Sequence, residues 1–241
     1  KGDHYLINGE KCFITNGSFA DYILLYGITN DQVKAHQGMT AFIFETETPG
    51  FEVVKDYKHM GRRGMPNSYL RFNDCKVPKE NVLYKENEGL EVLLFGLDGE
   101  RTFTASQYLG VARSAFEVAY KYANRREQFK KPLSRFEAIS FKISEMFMSI
   151  ELNRIAVTQI ARMLDDDKYC RPLVASIKAR LADDAVKITQ EAIQVTGGIG
   201  YSEEYPLERY YRDAKIAQIS AGTVEILKYL ISRELPRMYG E

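Results

Sequence analysis

Glu100 to Phe129 reads ERTFTASQYLGVARSAFEVAYKYANRREQF, and its apolar side chains come at helical spacing. Ala105, Leu109, Ala112, Phe116, Ala119 and Ala123 recur at steps of three and four, which lays a continuous apolar stripe along one face of a long helix. Upstream the period is different. Before residue 85, short runs rich in Tyr, Ile, Leu, Phe and Val alternate with turn residues: HYLI, Asn8-Gly9, KCFI, Asn16-Gly17, DYILLYGI, TAFIFE, Pro49-Gly50, FEVVKD, and YLRFNDCKV ahead of Pro78. That pattern predicts antiparallel strands, opening with a hairpin at Asn8-Gly9.

Downstream the helical period repeats. A second helix is expected through Phe136, Ile139, Ile143, Met146, Ile150, Val157, Ile160 and Leu164, after Pro132 and closed by Asp165-Asp166-Asp167. A third carries Val174, Ile177, Leu181, Ala185, Ile188, Ala192 and Val195 and stops at Gly197-Gly198, as helix ends commonly do. A shorter helix follows Pro206, and a last one begins near Thr223 and ends before Pro236. Striped helices with short connections make an antiparallel four-helix bundle. The expected architecture is multi-domain α and β: an antiparallel β-domain over residues 1–84, then a helical bundle over residues 85–241.

Composition limits what such a chain does. The 241 residues, 45% hydrophobic, suffice for a sizeable core, and 33 basic side chains cancel 33 acidic ones, so no global field exists to hold nucleic acid or an anionic membrane. Cys12, Cys75 and Cys170 are odd in number and far apart, which fits reduced thiols better than a disulfide framework. His4, His36 and His59 are equally scattered, without the paired spacing of a zinc site, so no metal is expected. No run of apolar residues is long enough to span a bilayer, and KGDHYLING at the start has neither the basic nor the apolar part of a signal peptide. A cytosolic or comparable reducing compartment follows.

The candidate chemistry lies in the helical half. Gly197-Gly198-Ile199-Gly200 follows a helix and not a strand, so it is a helix stop and no dinucleotide fingerprint of the strand-turn-helix kind. Ala221-Gly222-Thr223 opens the last helix, where free backbone donors and the positive dipole end suit a phosphate or an electron-rich ring edge; Thr223 as a simple N-cap is the local alternative. Arg125-Arg126-Glu127-Gln128-Phe129 ends the first bundle helix with cations that suit the dipole and reach an anionic ligand, or simply a solvated end. Arg212-Asp213-Ala214-Lys215 reads locally as a structural salt-bridge network. No Ser-His-Asp or Cys-His pairing can be argued, since the histidines all lie in the β-half.

Four motifs in order, FITNG at Phe13 to Gly17, MGRRGMPNSYLRFNDCKVP at Met60 to Pro78, the Glu100 to Phe129 helix, and IQVTGGIGYSEEYPLERYYRDAKIAQISAGTVE from Ile193 to Glu225, resemble the acyl-CoA dehydrogenase family of flavoproteins over essentially the whole chain. The resemblance implies the family's middle β-domain and carboxy-terminal bundle, with the amino-terminal helical domain and the first flavin-lining β-segment lying before Lys1. It implies a reaction in which a carboxylate removes the α-proton of an acyl-CoA thioester while the β-carbon passes hydride to N5 of FAD. Electrons then pass to an electron-transfer flavoprotein. Such a site must be dry enough to raise the base's pKa and must stabilise enolate-like charge. The resemblance also implies a homotetramer, since cofactor contacts cross subunits in the family, and a cytoplasmic setting, or the mitochondrial matrix in a eukaryote.

Site residues follow from the resemblance. Phe13 matches an aromatic packed on the isoalloxazine and Thr15 the hydroxyl near N5. Arg126, Gln128 and Phe129 match contacts to the FAD diphosphate and adenosine of a neighbouring subunit; Gln194, Gly197 and Gly198 match the backbone approach to the same diphosphate; Thr223 and Glu225 match contacts at the last helix. Lys130 departs from the usual Gly after that Phe. Many members place the base directly before the Gly-Thr of the last motif, where this chain has Ala221. In the isovaleryl-CoA and long-chain branches the base stands before an Arg at the start of the first bundle helix, and here Glu100 precedes Arg101. The base is therefore assigned to Glu100, against a local reading as a helix-start acid favoured by the macrodipole. Arg101, Ser220, Ala221 and Gly222 are assigned to the acyl-CoA, with Ser220 small where many members carry Tyr. A fragment of an active enzyme is the favoured explanation of the early start; a non-catalytic partner subunit and an acyl-CoA oxidase are the alternatives.

Overall fold

The computed structural model describes residues 2–240 and divides into two compact units, one running up to Gly96 and one from Leu97 onward. The first unit is built from β1 (His4–Thr15), β2 (Tyr22–Ile28), β3 (Met39–Glu45), β4 (Phe51–Asp56), β5 (Asn67–Pro78) and β6 (Val82–Leu83). They form two antiparallel sheets, ordered β1-β5-β4 and β2-β3-β6. Leu25, Phe42, Phe44, Leu70, Phe72, Cys75 and Val77 make its core.

Strand β5 shows how the sequence sets the register. Ser68, Leu70 and Phe72 point inward at period two, and then the buried positions move to Cys75 and Val77. The change of phase is a bulge: Ile7 faces Cys75 but Gly9 faces Phe72, so β5 carries one residue more than β1. Asn8-Gly9, expected as a hairpin, is the other half of this bulge inside one continuous strand. Asn8 Oδ1 accepts from the Asp74 N–H at 2.8 Å and its Nδ2 donates to Asp74 Oδ1 at 3.0 Å, and Asp74 takes a φ of 50°. The asparagine side chain braces the facing strand where a hairpin would have used its backbone.

The boundary between the units falls within α1 (Gly89–Arg125), a single helix that begins well before the expected stripe. It is followed by α2 (Glu137–Asp165), α3 (Arg171–Thr196), α4 (Gly198–Tyr201), α5 (Leu207–Lys215) and α6 (Val224–Tyr239). Much of the helical core is alanine: Ala112, Ala115, Ala119 and Ala123 of α1 are fully buried, and so are Ala185 and Ala192 of α3. Small side chains let the helices approach closely. Leu207 and Leu227, each at 0% exposure, anchor α5 and α6 to this core; burying each is worth about 1.5–3 kcal/mol. The last helix does not end before Pro236 but continues through it to Tyr239. Proline there, near the end, removes one intrahelical donor and leaves the remainder of the last turn intact. In α5 Arg212 pairs with Glu208 one turn earlier, and Lys215 donates to Gln218. Among the described residues no helix is long and apolar enough to cross a membrane.

Candidate active site

Between the 3-10 turn Ile216–Gln218 and α6 the chain passes through two successive residues of positive φ, Ala221 at 52° and Gly222 at 93°. A left-handed alanine costs about 1–2 kcal/mol, so the surroundings must hold the turn. Two buried cations do so. Lys178 of α3 is 1% exposed, and its ammonium donates to the carbonyls of Ala217 at 2.8 Å, Ser220 at 2.5 Å and Gly222 at 2.6 Å. That occupies all three of its donors. Arg101 of α1 is 7% exposed, and its Nε donates to the Ala221 carbonyl at 3.3 Å.

These contacts also fix the direction of the N–H groups. In a trans peptide the C=O and N–H point opposite ways, and no described peptide is cis. With the carbonyls of Ser220 and Gly222 turned toward Lys178, the N–H groups of Ala221 and Thr223 point away from that ammonium, and with the Ala221 carbonyl turned toward Arg101, the Gly222 N–H points away from that guanidinium. The turn thus presents a row of donors, the arrangement that suits an oxygen gaining negative charge.

Electrostatics bind the same residues together. Asp98 Oδ2 accepts from Arg171 Nε at 3.2 Å, while its Oδ1, buried and without a hydrogen bond, has Arg101 Nη1 at 4.0 Å. Burial lowers the pKa of Arg101, opposed by Asp98 and Glu100 and reinforced by Arg171. Burial likewise pushes Lys178 from its ordinary 10.5 to about 8, with Arg101 adding to the drop and Glu100 and Asp183 opposing it. Asp183 in turn accepts from Gln218 Nε2 at 2.7 Å, a further tie between α3 and the turn.

Glu100 is exposed and its charge is felt by both cations. It does not stand at a helix start. The helix runs from Gly89, because Gly96 and Gly99, which interrupt the apolar stripe, adopt helical conformation with their neighbours. The dipole of a first turn therefore gives no account of this carboxylate.

At the start of α6, Thr223 Oγ1 accepts from the Ile226 N–H at 3.2 Å, the expected N-cap. The Glu225 carboxyl is held below the usual range by its own backbone N–H first and then by the Thr223 hydroxyl. At the end of α3, Gly197 takes a φ of 66° as the cap, with Gln194, Gly197 and Gly198 exposed. Beyond α1 a small hairpin pairs β7 (Glu127–Gln128) with β8 (Lys131–Pro132). Its two turn residues are both left-handed, Phe129 at 52° and Lys130 at 65°, and Arg126, Gln128 and Phe129 all face solvent. Beside it lies a groove of about 490 Å³ lined by Lys121, Tyr122, Arg125, Arg126, Glu204 and Tyr205. Among the described residues no hydrogen bond or ion pair joins this hairpin to the end of α3, or either to the Glu100 cluster.

Phe13 and Thr15 belong to the first unit. Between Lys11 and Ile14 strand β1 carries an extra residue relative to β5, and Phe13 sits in that bulge with a φ of 58°. Its ring is 65% exposed and stacks on Tyr57 at a centroid distance of 4.6 Å. Bulges re-aim side chains, and a strained phenylalanine left exposed is a feature that packing alone does not require. Thr15 is exposed beside it, paired with Asn67.

Sequence reasoning missed Lys178 and Tyr57. Lys178 had a legible signal, since it stands four residues after Val174 and three before Leu181, inside the buried stripe of α3. A lysine at such a position needs a charge partner or a set of carbonyls.

The family model of the acyl-CoA dehydrogenase C-terminal domain matches residues 87–235, and that of the acyl-CoA dehydrogenase middle domain matches residues 1–75. The chain is 44% identical over 222 residues to a short-chain specific acyl-CoA dehydrogenase of Megasphaera elsdenii, covering 92% of this chain and 58% of that protein. It is 42% identical over 236 residues to a cyclohex-1-ene-1-carbonyl-CoA dehydrogenase of Syntrophus aciditrophicus, covering 98% of this chain and 57% of that protein. A solved chain described as an electron transferring flavoprotein of Acidaminococcus fermentans superposes with a TM-score of 0.95 at 40% identity, covering 98% of this chain and 62% of that one. The chain thus spans a little over half the length of the curated relatives it matches.

Proposed function

This chain belongs to the acyl-CoA dehydrogenase family, and from that premise we propose that it forms part of a site for FAD-dependent α,β-desaturation of an acyl-CoA thioester, with Glu100 as the base. The observation that carries the reading is the turn at Ala221 and Gly222: its N–H row faces away from Lys178 and Arg101, and Glu100 is the residue next to Arg101. Glu100 takes the α-proton as a carboxylate, and the charge that develops on the thioester oxygen is met by the N–H groups of the turn, those of Ala221 and Thr223 set by Lys178 and that of Gly222 by Arg101. Arg101 keeps the Ala221 carbonyl from swinging round to the same side, where it would repel that charge. Ser220, small and half-buried, gives the acyl group room.

The residues suit a flavin. Phe13 offers an exposed aromatic face, Thr15 an exposed hydroxyl, and Arg126 with the Gln128–Phe129 hairpin an exposed cation and aromatic beside a groove. Gln194, Gly197, Gly198, Thr223 and Glu225 complete the proposed cofactor set. The chemistry that a bound FAD supplies is acceptance of the hydride from the β-carbon. Glu100 is exposed, so the reading requires the bound ligand and cofactor to exclude solvent from it.

An electron-transfer flavoprotein is the proposed acceptor, in keeping with the description of the solved chain at 40% identity. A homotetramer is supported by the exposed apolar side chains of α2, Phe141, Phe147, Met148, Leu152 and Ile155, which a partner copy would bury. The test is bleaching of the flavin spectrum by isovaleryl-CoA and butyryl-CoA in the FAD-loaded protein. Replacing Glu100 by Gln is expected to slow bleaching by at least about 100-fold, while a Gln variant as fast as the parent would show that the base lies elsewhere.

A further inference from the structure

We propose that Lys178 is a positioning residue for the thioester chemistry: buried beneath the Ser220–Gly222 turn, it aims the Ala221 and Thr223 N–H groups at the reacting oxygen by holding the carbonyls of Ser220 and Gly222 on the opposite side. The inference rests on the desaturation reading above. It adds a residue that neither the turn motif nor the base motif contains.

The geometry makes the role specific. An ammonium whose three donors all go to carbonyls of one short segment, at 2.5–2.8 Å, sets the orientation of that segment's peptide planes more tightly than packing does. Ala217 lies within the 3-10 turn, while Ser220 and Gly222 bracket Ala221, so two anchors precede and one follows the residue with the left-handed φ of 52°. Without the lysine, those carbonyls would be buried and unpaired, and the turn would relax by rotating peptide planes toward solvent. Such a rotation exchanges the positions of C=O and N–H and puts a carbonyl where a donor is needed.

A buried charge is a costly way to hold a turn, which suggests that the charge itself contributes. The groups that surround the ammonium are Glu100 and Arg101 of α1, Asp183 of α3 and the carbonyls of the turn. Glu100 and Asp183 favour its protonated form, and burial with Arg101 disfavours it, leaving it near 8. The three carbonyl bonds need the full set of ammonium protons, because a neutral amine has one donor fewer. Deprotonation therefore loosens the turn without removing any side chain.

The test compares the parent, Lys178→Met and Lys178→Arg as FAD-loaded proteins, by stopped-flow bleaching with saturating butyryl-CoA at pH values on both sides of 8. Lys178→Met is expected to bleach about 10- to 100-fold more slowly, the range for a lost or misplaced oxyanion donor, with the affinity for the unreactive thioether S-butyl-CoA unchanged. The parent is expected to show an alkaline fall with a midpoint near 8, and Lys178→Arg, permanently charged, is expected to recover part of the rate and to lose that fall. Parental rates in Lys178→Met, or an unchanged alkaline fall in Lys178→Arg, would overturn the proposal. If Lys178→Met does not fold, the profile of Lys178→Arg decides alone. A parent that no acyl-CoA bleaches at any pH removes the desaturation reading itself, and this inference with it; that outcome is read from the parent alone.

Discussion

Replacing Gly222 by Ala separates the backbone of the turn from its surroundings. A Cβ built on Gly222 would meet Leu227 Cδ2 at 3.7 Å, Arg101 Nη2 at 3.8 Å and Ile226 Cγ2 at 3.9 Å, all ordinary van der Waals distances. Steric clash therefore contributes nothing, and the cost is the φ of 93° alone. A left-handed conformation costs an L-residue about 1–2 kcal/mol, and the smaller entropy of an unfolded alanine chain returns about 0.4–1 kcal/mol. From the mid-values of the two ranges the net destabilisation is about 0.8 kcal/mol, or about 2–3 °C in Tm for a chain of this size. Thermal melts followed by circular dichroism on the FAD-loaded protein measure it. A double-mutant cycle sharpens the result: in a Lys178→Met background the turn is free to relax, so the same Gly222→Ala change should cost less. A variant as stable as the parent would refute the claim that the turn is held at positive φ. A penalty as large in the Lys178→Met background would refute the claim that Lys178 is what holds it.

Two further outcomes follow from the same reasoning. Lys130→Gly should stabilise the protein by up to about 1 kcal/mol, since Lys130 pays a left-handed cost at a φ of 65° that glycine does not; a melt below that of the parent would mean that the lysine side chain holds the hairpin. Stability should rise with pH between about 8 and 10.5 relative to Lys178→Arg, because the Lys178 pKa is depressed in the fold and the unfolded chain binds more protons in that window. The slope approaches about 1.4 kcal/mol per pH unit, is read from urea titrations at successive pH values, and is absent if Lys178 stays protonated throughout.

Elements whose signal is local were legible in the sequence. The strands of the first unit and the stripes of α2 and α3 rest on periodicity, and Gly197 and Thr223 cap the helices as their residue types suggest. What escaped depends on partners far along the chain. Asn8-Gly9 has the composition of a hairpin, yet the asparagine finds Asp74 across the sheet, and only the pairing with β5 reveals a bulge. The start of α1 was misplaced because Gly96 and Gly99 weaken a helix on average without forbidding one. Of the candidate site, the types and spacing of Glu100, Arg101 and Ala221 could be read directly. The link between them could not, since the Arg101 to Ala221 hydrogen bond spans 120 residues. Lys178 was visible as an oddity in an apolar stripe, but its three acceptors belong to a segment that no periodicity connects to it.

That link bears on why the position before Gly222 can hold an alanine at all. On the proposed mechanism the donors of the turn are backbone N–H groups, oriented by carbonyl contacts to Lys178 and Arg101, and none of these depends on the side chain at 221. A side chain there is free to be the base or to be absent, provided that it tolerates a φ of 52°, which alanine does at modest cost. The proton-abstracting and charge-stabilising parts of the site are then separable. Arg101 connects them in this chain: it adjoins Glu100 in sequence and grips the Ala221 carbonyl, so a shift of α1 that displaced the base would also disturb the donors. Moving the base back, by Glu100→Gly with Ala221→Glu, should therefore retain the donor row and restore bleaching that Glu100→Gly alone abolishes. Failure of that pair to recover any rate, in a protein that still binds FAD and S-butyl-CoA, would show that base and donors are not separable after all.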